Sequence, residues 1–300
     1  MAHDAQFDSF QAAPEPASPV MHLAGERLGR LEQLDEPGER LAAAVKQALP
    51  AGPVKDVLSG TWLGHALHPL LTDVPIGTWT SAMLLDLLGG EDAEDGADRL
   101  VGLGILASLP TIASGLSDWA DTIDSDRRTG LVHAAANSAA LTLFTASYAA
   151  RKSGRRRLGV SLGLVAGGAL GLGGWIGGHL SYSLGVGVDT TTFEYPPTEW
   201  TPVLAERDLA EGEPRQVDLG GVAALVTRID GRITAISNSC THRGGQLDQG
   251  EVDDGCVTCP IHQSVFSLED GSVVRGPATA PQPTYDVRVR DGQVELRDPQ

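Results

Sequence analysis

The stretch 237-SNSCTHRGGQLDQG-250 holds the first of only three cysteines in the chain, and a histidine follows that cysteine by two positions. A second pairing stands downstream, at 259-CPIH-262. Cys240, His242, Cys259 and His262 therefore offer two thiolates and two imidazoles from two turns. Such a set points to metal chemistry rather than to a disulfide framework. Zinc would accept it. The remaining cysteine, Cys256, falls outside the repeat and reads as a small buried side chain.

Around the pairs lies a run of β signals. Asp-Gly pairs at 230–231, 254–255, 270–271 and 291–292 each stand between short runs rich in β-branched residues, as in ALVTRIDGRITAIS and YDVRVRDGQVELR. Both residues tolerate the positive φ of a tight hairpin turn. Residues 200–300 are expected to form a compact, mostly antiparallel β domain, entered through a short, stiff linker at 189–199.

The framing of the pairs is more specific than the pairs themselves. CTHRGG and CPIHQSVFSLEDG closely resemble the two cluster-binding loops of Rieske iron-sulfur proteins, and the trailing GPATAPQPTYDVRVRDGQVELR resembles the last strands of that family. The resemblance implies a 2Fe-2S cluster, with Cys240 and Cys259 on the inner iron and His242 and His262 on the iron nearer the surface. Electrons would enter and leave through the histidine edge. Exchanging two thiolates for neutral imidazoles reduces the negative charge around a cluster and raises its reduction potential.

Departures from the family narrow the type. Where the Rieske subunit of cytochrome bc complexes carries two further cysteines in a disulfide, this chain has Gly245 and Ile261, so it is more similar to Rieske ferredoxins and to the Rieske domains of oxygenases. Ser264 matches a serine that donates to a cluster sulfur in the bc type, whereas Phe266 replaces its tyrosine donor. One donor fewer implies an intermediate potential, below that of the bc type. A mononuclear iron oxygenase site would need a further two-His, one-carboxylate set in a larger catalytic domain, which nothing here resembles.

The N-terminal side has another character. Residues 1–55 read as a flexible tail with short amphipathic helices: QAAPEPASPV at 11–20 is too rich in Pro and Ala to pack, and the apolar pattern from Glu26 to Leu49 breaks at Pro37 and Gly38. No cleavable signal peptide is expected at the start, because the first 25 residues carry Asp4, Asp8 and Glu15 without an apolar core. Residues 56–188 hold four apolar segments, at about 68–88, 100–118, 130–150 and 158–180, each close to the ~20 residues that cross a hydrocarbon core. The first is weakened by Asp73 and Asp86. The fold class expected is thus an α-helical four-span membrane bundle followed by an all-β Rieske domain. Gly163, Gly167, Gly171 and Gly174 recur at helical spacing in the last segment and suit close helix packing.

Loop charge suggests an orientation. RKSGRRR after the third segment carries five positive charges, which favours the cytoplasmic side and places the β domain outside; EDAEDGADR after the first opposes this weakly, since acids count for less. Consecutive arginines in GRRRLGVSLGLVAGG also resemble an internal twin-arginine export signal. The location implied is multi-pass in a bacterial cytoplasmic membrane.

In an up-and-down bundle, His65, His68, Asp73, Asp118, His133 and His179 all fall at the end nearest the β domain. Ionisable groups there invite a functional reading: His68 with His133 or His179 as axial ligands to haem b, or a quinone site, against plain structural roles in capping and hydrogen bonding. HPLLTDVPIG and GGHLSYSLGVGVD resemble a family of uncharacterised bacterial four-span membrane domains that occur fused to Rieske domains, which supports the architecture without naming an activity. The partners implied are a redox protein or small electron carrier, and membrane lipid. A net charge of −17 argues against nucleic acid, whose binding draws on clustered Lys and Arg.

Overall fold

The computed structural model describes residues 20–299, so the expected Pro/Ala-rich tail lies, but for Val20, outside the described residues. Among the described residues helices run up to Tyr182: α1 (Val20–Gly29), α2 (Asp35–Ala48), α3 (Pro53–Ser59), α4 (Leu67–Leu88), α5 (Glu94–Ala120), α6 (Asp124–Lys152) and α7 (Arg156–Tyr182). Strands follow: β1 (Thr201–Ala205), β2 (Arg215–Leu219), β3 (Val222–Ile229), β4 (Arg232–Ser237), β5 (Glu251–Asp253), β6 (Cys256–Thr258), β7 (Val265–Ser267), β8 (Val273–Arg275), β9 (Asp286–Arg290) and β10 (Gln293–Arg297).

The four long helices form a bundle whose core is made of Trp79, Ala82, Ala97, Val101, Phe144 and Ala166. Trp79 stacks on Phe144 with ring centroids 4.3 Å apart, and its indole N–H donates to Val101 O at 3.2 Å. A methyl at Gly104 would come within 2.3 Å of that indole nitrogen, so α5 can approach α4 only without a side chain there. Two of the four helical stretches, Glu91–Ala120 and Arg156–Tyr182, are long and apolar enough to cross a membrane. Asp73 is exposed on the outer face of α4 rather than turned inward.

Helical register also shifts which glycines matter. Gly163 and Gly167 meet neighbours, but Gly171 and Gly174 have open space beyond them. Gly159, Gly173 and Gly177 do the close packing instead, against Arg151, Asn137 and His133. At 3.6 residues per turn Gly159, Gly173 and Gly177 share the face turned to α6, while Gly167 meets Met83 of α4.

At the end of the bundle away from the β domain, the two charged loops neutralise each other. Arg151 donates to Asp86 through both terminal nitrogens and to Asp98 at 3.1 Å, while Arg156 bonds Asp86 at 2.8 Å, Asp98 at 2.8 Å and Glu94 at 2.8 Å. The Arg151 and Asp86 side chains are 1% and 2% exposed. Asp86 is thus the partner of the loop arginines rather than an isolated charge in an apolar segment.

The amphipathic helices lie on the bundle. Arg128 of α6 forks onto Asp35 at 2.6 and 2.8 Å and donates to Gly29 O at 2.8 Å. The break between α1 and α2 falls at 30–34, with a 3₁₀ turn at Glu32–Leu34, and not at Pro37 and Gly38. Pro37 sits in the first turn of α2, where a missing N–H leaves no helical bond unmade.

In the β domain the sheets run β1-β10-β9, β2-β3-β4 and β5-β6-β7-β8, all antiparallel. Three of the Asp-Gly pairs are two-residue turns with both φ positive: Asp230 and Gly231 (50° and 75°), Asp254 and Gly255 (46° and 70°), Asp291 and Gly292 (52° and 74°). Asp270 and Gly271 differ, lying in a longer β7–β8 loop where only the glycine has positive φ. A further tight turn, which the Asp-Gly pattern misses, is Gly220-Gly221 between β2 and β3.

Candidate metal centre

Two loops at one end of the β domain carry the Cys-His pairs, one between β4 and β5 and the other between β6 and β7. They close in the same way. Cys240 N–H donates to Gly245 O at 2.8 Å and Cys240 O accepts from Gly244 N–H at 2.8 Å; Cys259 N–H donates to Ser264 O at 2.8 Å and Cys259 O accepts from Gln263 N–H at 3.0 Å. The residue four beyond each cysteine has positive φ, 68° at Gly244 and 64° at Gln263. Each loop so curls its backbone amides toward its own sulfur: those of His242 and Arg243 bond Cys240 Sγ, and those of Ile261 and His262 bond Cys259 Sγ.

The donors form an inner sulfur pair and an outer nitrogen pair. Cys240 and Cys259 are each 1% exposed and share a thiol hydrogen bond. That bond, helped by the two amides, draws the Cys259 thiol down to about 6 and holds Cys240 well above the ordinary thiol range. The rings of His242 and His262 meet edge to face at 4.9 Å between centroids. Burial pushes both imidazoles below the usual 6.5, His242 to about 3 and His262 to about 4, against the opposing pull of Asp121. In both rings Nδ1 is buried and lacks a hydrogen-bond partner.

A buried imidazole nitrogen without a partner is costly unless a ligand completes it. Two such atoms beside two amide-bonded thiols fit a pair of metal ions bridged at the centre, each taking two protein donors. The residues present thus fit a two-iron cluster with mixed ligation.

Neighbouring residues complete the description. A methyl at Gly245 would stand 2.9 Å from Cys259 Sγ and 2.9 Å from Ile261 Cδ1, so the two loops pack too closely there for a side chain at 245. Ser264 Oγ, fully buried, accepts from Ala278 N–H at 2.9 Å, leaving its own proton for another acceptor. Phe266 is buried and contributes no hydroxyl. Cys256 is half-buried on β6, opposite Asp253 and Ser267, and so is less buried than its sequence context suggests.

The histidine edge does not face open solvent, because the helical region covers it. Asp121, at the C-terminal end of α5, places Oδ1 3.9 Å from His262 Nε2 and Oδ2 2.7 Å from Lys55 Nζ of α3. Arg243 bonds Asp126 at 2.8 Å, Gly276 N–H donates to Asp56 at 3.0 Å, and Thr61 Oγ1 donates to Ala278 O at 3.1 Å. Thr190, beyond α7, donates its hydroxyl to Cys240 O at 2.8 Å. Sequence reasoning missed Lys55, Asp121 and Thr190. Polar residues in turns are common, and nothing local marks these as facing a loop so distant in the chain.

Of the helical histidines, two are brought together. His68 on α4 and His133 on α6 lie 6.4 Å apart between ring centroids; His68 Nδ1 is 2.9 Å from Thr111 O, and His133 Nδ1 is 2.9 Å from Gly173 O. Asn137 Nδ2 approaches His133 Nε2 at 3.2 Å. His179 stands apart from them, against Trp175 and Gly25 of α1, and His65 is exposed in the turn before α4.

Comparison with known proteins finds two family matches. Residues 199–286 match the Rieske [2Fe-2S] domain family, and residues 64–190 match a family described as "Predicted membrane protein (DUF2231)". The anthranilate 1,2-dioxygenase ferredoxin subunit of Burkholderia cepacia is 37% identical over 98 residues, which are 33% of this chain and 91% of that protein. The 3-phenylpropionate/cinnamic acid dioxygenase ferredoxin subunit of Escherichia coli K12 is 35% identical over 94 residues, 31% of this chain and 88% of that one. Among solved structures, the ferredoxin of carbazole 1,9a-dioxygenase from Nocardioides aromaticivorans aligns at 27% identity and a TM-score of 0.32, covering 33% of this chain and 98% of that one.

The chain belongs to the Rieske [2Fe-2S] family. Its β domain is an electron-transfer domain of the ferredoxin type, homologous to dioxygenase ferredoxin subunits, and it follows a helical domain of the DUF2231 family.

Proposed function

We propose that the chain is a multi-pass protein of a bacterial cytoplasmic membrane that carries its 2Fe-2S cluster on Cys240 and Cys259 at the inner iron and on His242 and His262 at the outer iron. The observation that carries this reading is the pair of buried, partnerless Nδ1 atoms beside two thiols that already accept backbone amides. When bound, the cluster supplies reversible one-electron transfer. The loops hold its sulfur ligands by short, local hydrogen bonds and exclude water from them. Relatives whose names mark them as ferredoxin subunits of dioxygenases support a redox protein as the partner, with a small electron carrier as the other candidate.

The helical domain, residues 56–188, is read as four spans, with the β domain of 200–300 beyond a linker at 189–199. Leucines such as Leu84, Leu103, Leu106, Leu109, Leu164 and Leu172 are exposed on the outside of the bundle, as lipid contact requires. Placement of the β domain outside the cytoplasm rests on Arg155 and Arg157, which remain beyond the Asp86 network. Iron and sulfide analysis of the purified chain tests the cluster reading. Two of each per chain are expected, lost in Cys240→Ser and in Cys259→Ser; zinc in place of iron overturns it.

The approach of His68 to His133 favours a second reading, a quinol- or haem-dependent membrane oxidoreductase whose helices hold the second cofactor. Their Nδ1 atoms are both tied to helix carbonyls, which fixes the ring orientations as a ligand pair needs. A Soret band in the full-length protein, absent from His68→Ala, supports haem; cluster absorption alone supports the anchored ferredoxin.

A further inference from the structure

The helical domain reaches the centre through a carboxylate. Asp121 and Lys55 are both almost fully buried, and they form an ion pair of 2.7 Å at the boundary between the helical and β domains. The negative end of that pair is turned to His262: Asp121 Oδ1 lies 3.9 Å from Nε2, the ring nitrogen opposite the partnerless Nδ1. Lys46 flanks the same oxygen at 3.5 Å. The approach is too long for a direct hydrogen bond and short enough for a strong charge interaction in a site shielded from water.

Resting on the ligand reading above, we propose that Asp121 is a positioning residue for the cluster, acting on it across His262 by its charge and holding the reduction potential down, with Lys55 offsetting part of that charge. Reduction adds one negative charge to the centre. A fixed carboxylate one imidazole away disfavours that change, and a fixed ammonium behind the carboxylate favours it. The two substitutions must therefore move the potential in opposite directions. A role confined to holding the two domains together has no such sign, since loss of either partner would loosen the same boundary.

The experiment is potentiometric titration of the full-length, cluster-loaded protein at one fixed pH, with iron content confirming assembly. Asp121→Asn is expected to raise the midpoint by about 59 mV, a tenfold change in the ratio of reduced to oxidised protein for one electron. Lys55→Gln is expected to lower it, with Lys46 still beside the carboxylate. Asp121→Glu should remain near the wild type. An unchanged midpoint in a loaded Asp121→Asn protein overturns the proposal, as does a shift of the same sign in Asp121→Asn and Lys55→Gln. If Asp121→Asn loads no iron, the Lys55→Gln protein decides: a lower midpoint supports the proposal, and an unchanged or higher one overturns it. A wild type without nitrogen ligation at its cluster removes the ligand reading itself and this proposal with it, which separates the two failures.

Discussion

The loops that carry Cys240 and Cys259 are closed by hydrogen bonds that span four or five residues, whereas Arg151 is held by carboxylates 53 and 65 positions away. In the β domain, backbone geometry aims the functional atoms: a tight loop, a positive φ four residues on and amides bent toward sulfur. Side chains from separate helices do the corresponding work in the helical domain, where a charge is tolerated only because the fold delivers its counter-charge. Local devices fail one at a time. Long-range pairs fail together with the packing that assembles them.

The largest effect should come from breaking a long-range pair. Arg151→Met leaves Asp86 and Asp98 with Arg156 as their remaining guanidinium; removing one member of a buried pair costs roughly 3–5 kcal/mol, and the retained partner should hold the loss to the lower end of that range. Unfolding of the full chain in detergent, followed by far-UV circular dichroism, should show that loss while the visible spectrum of the cluster persists below the transition. A mutant that lost the cluster spectrum along with its helical stability would break the contrast between the domains.

Next comes a pH effect confined to the β domain. In metal-free protein His242 and His262 titrate near 3 and 4 when folded against 6.5 ordinarily, because burial favours the neutral rings. Above pH 6.5 they are neutral in folded and unfolded chains alike, and their contribution is fully present. As pH falls from 6.5 toward 4 only the unfolded chain gains protons, so stability is lost across that window. The cluster-loaded protein should lose stability over the same window and go on losing it below pH 3, since a coordinated nitrogen stays unprotonated while the unfolded chain holds its protons. Melting temperatures of both forms at several pH values check this; a loaded form whose acid loss levels off at the same pH as that of the metal-free form would count against histidine ligation.

The smallest effect is expected at a hairpin. Gly292→Ala puts a Cβ at φ 74°, a conformation costing roughly 1–2 kcal/mol for an L-residue, with open space around it. Chemical denaturation should register that loss and no change in the cluster spectrum.

The same contrast explains what the sequence made legible. Three Asp-Gly pairs announce their turns because the requirement is confined to two residues; Asp270-Gly271 misleads because loop length, set by the β7–β8 pairing, overrides the dipeptide. The four ligand candidates were legible through their framing residues. Their covering was not, since Lys55 and Asp121 reach His262 only when two domains dock, and neither carries a local mark of that task. Long apolar runs revealed the helices, yet the choice of His68 with His133, and not His179, depends on how α4 and α6 face each other. The mutual neutralisation of the 91–99 and 151–157 loops was likewise hidden, which is why their charges looked contradictory.

Pulsed EPR of the reduced full-length protein reads the ligands directly. Hyperfine coupling from two directly bound histidine nitrogens is predicted, one disappearing in His242→Cys and the other in His262→Cys. A reduced cluster with no nitrogen coupling, or with both couplings intact in the two variants, would contradict the assignment of the centre.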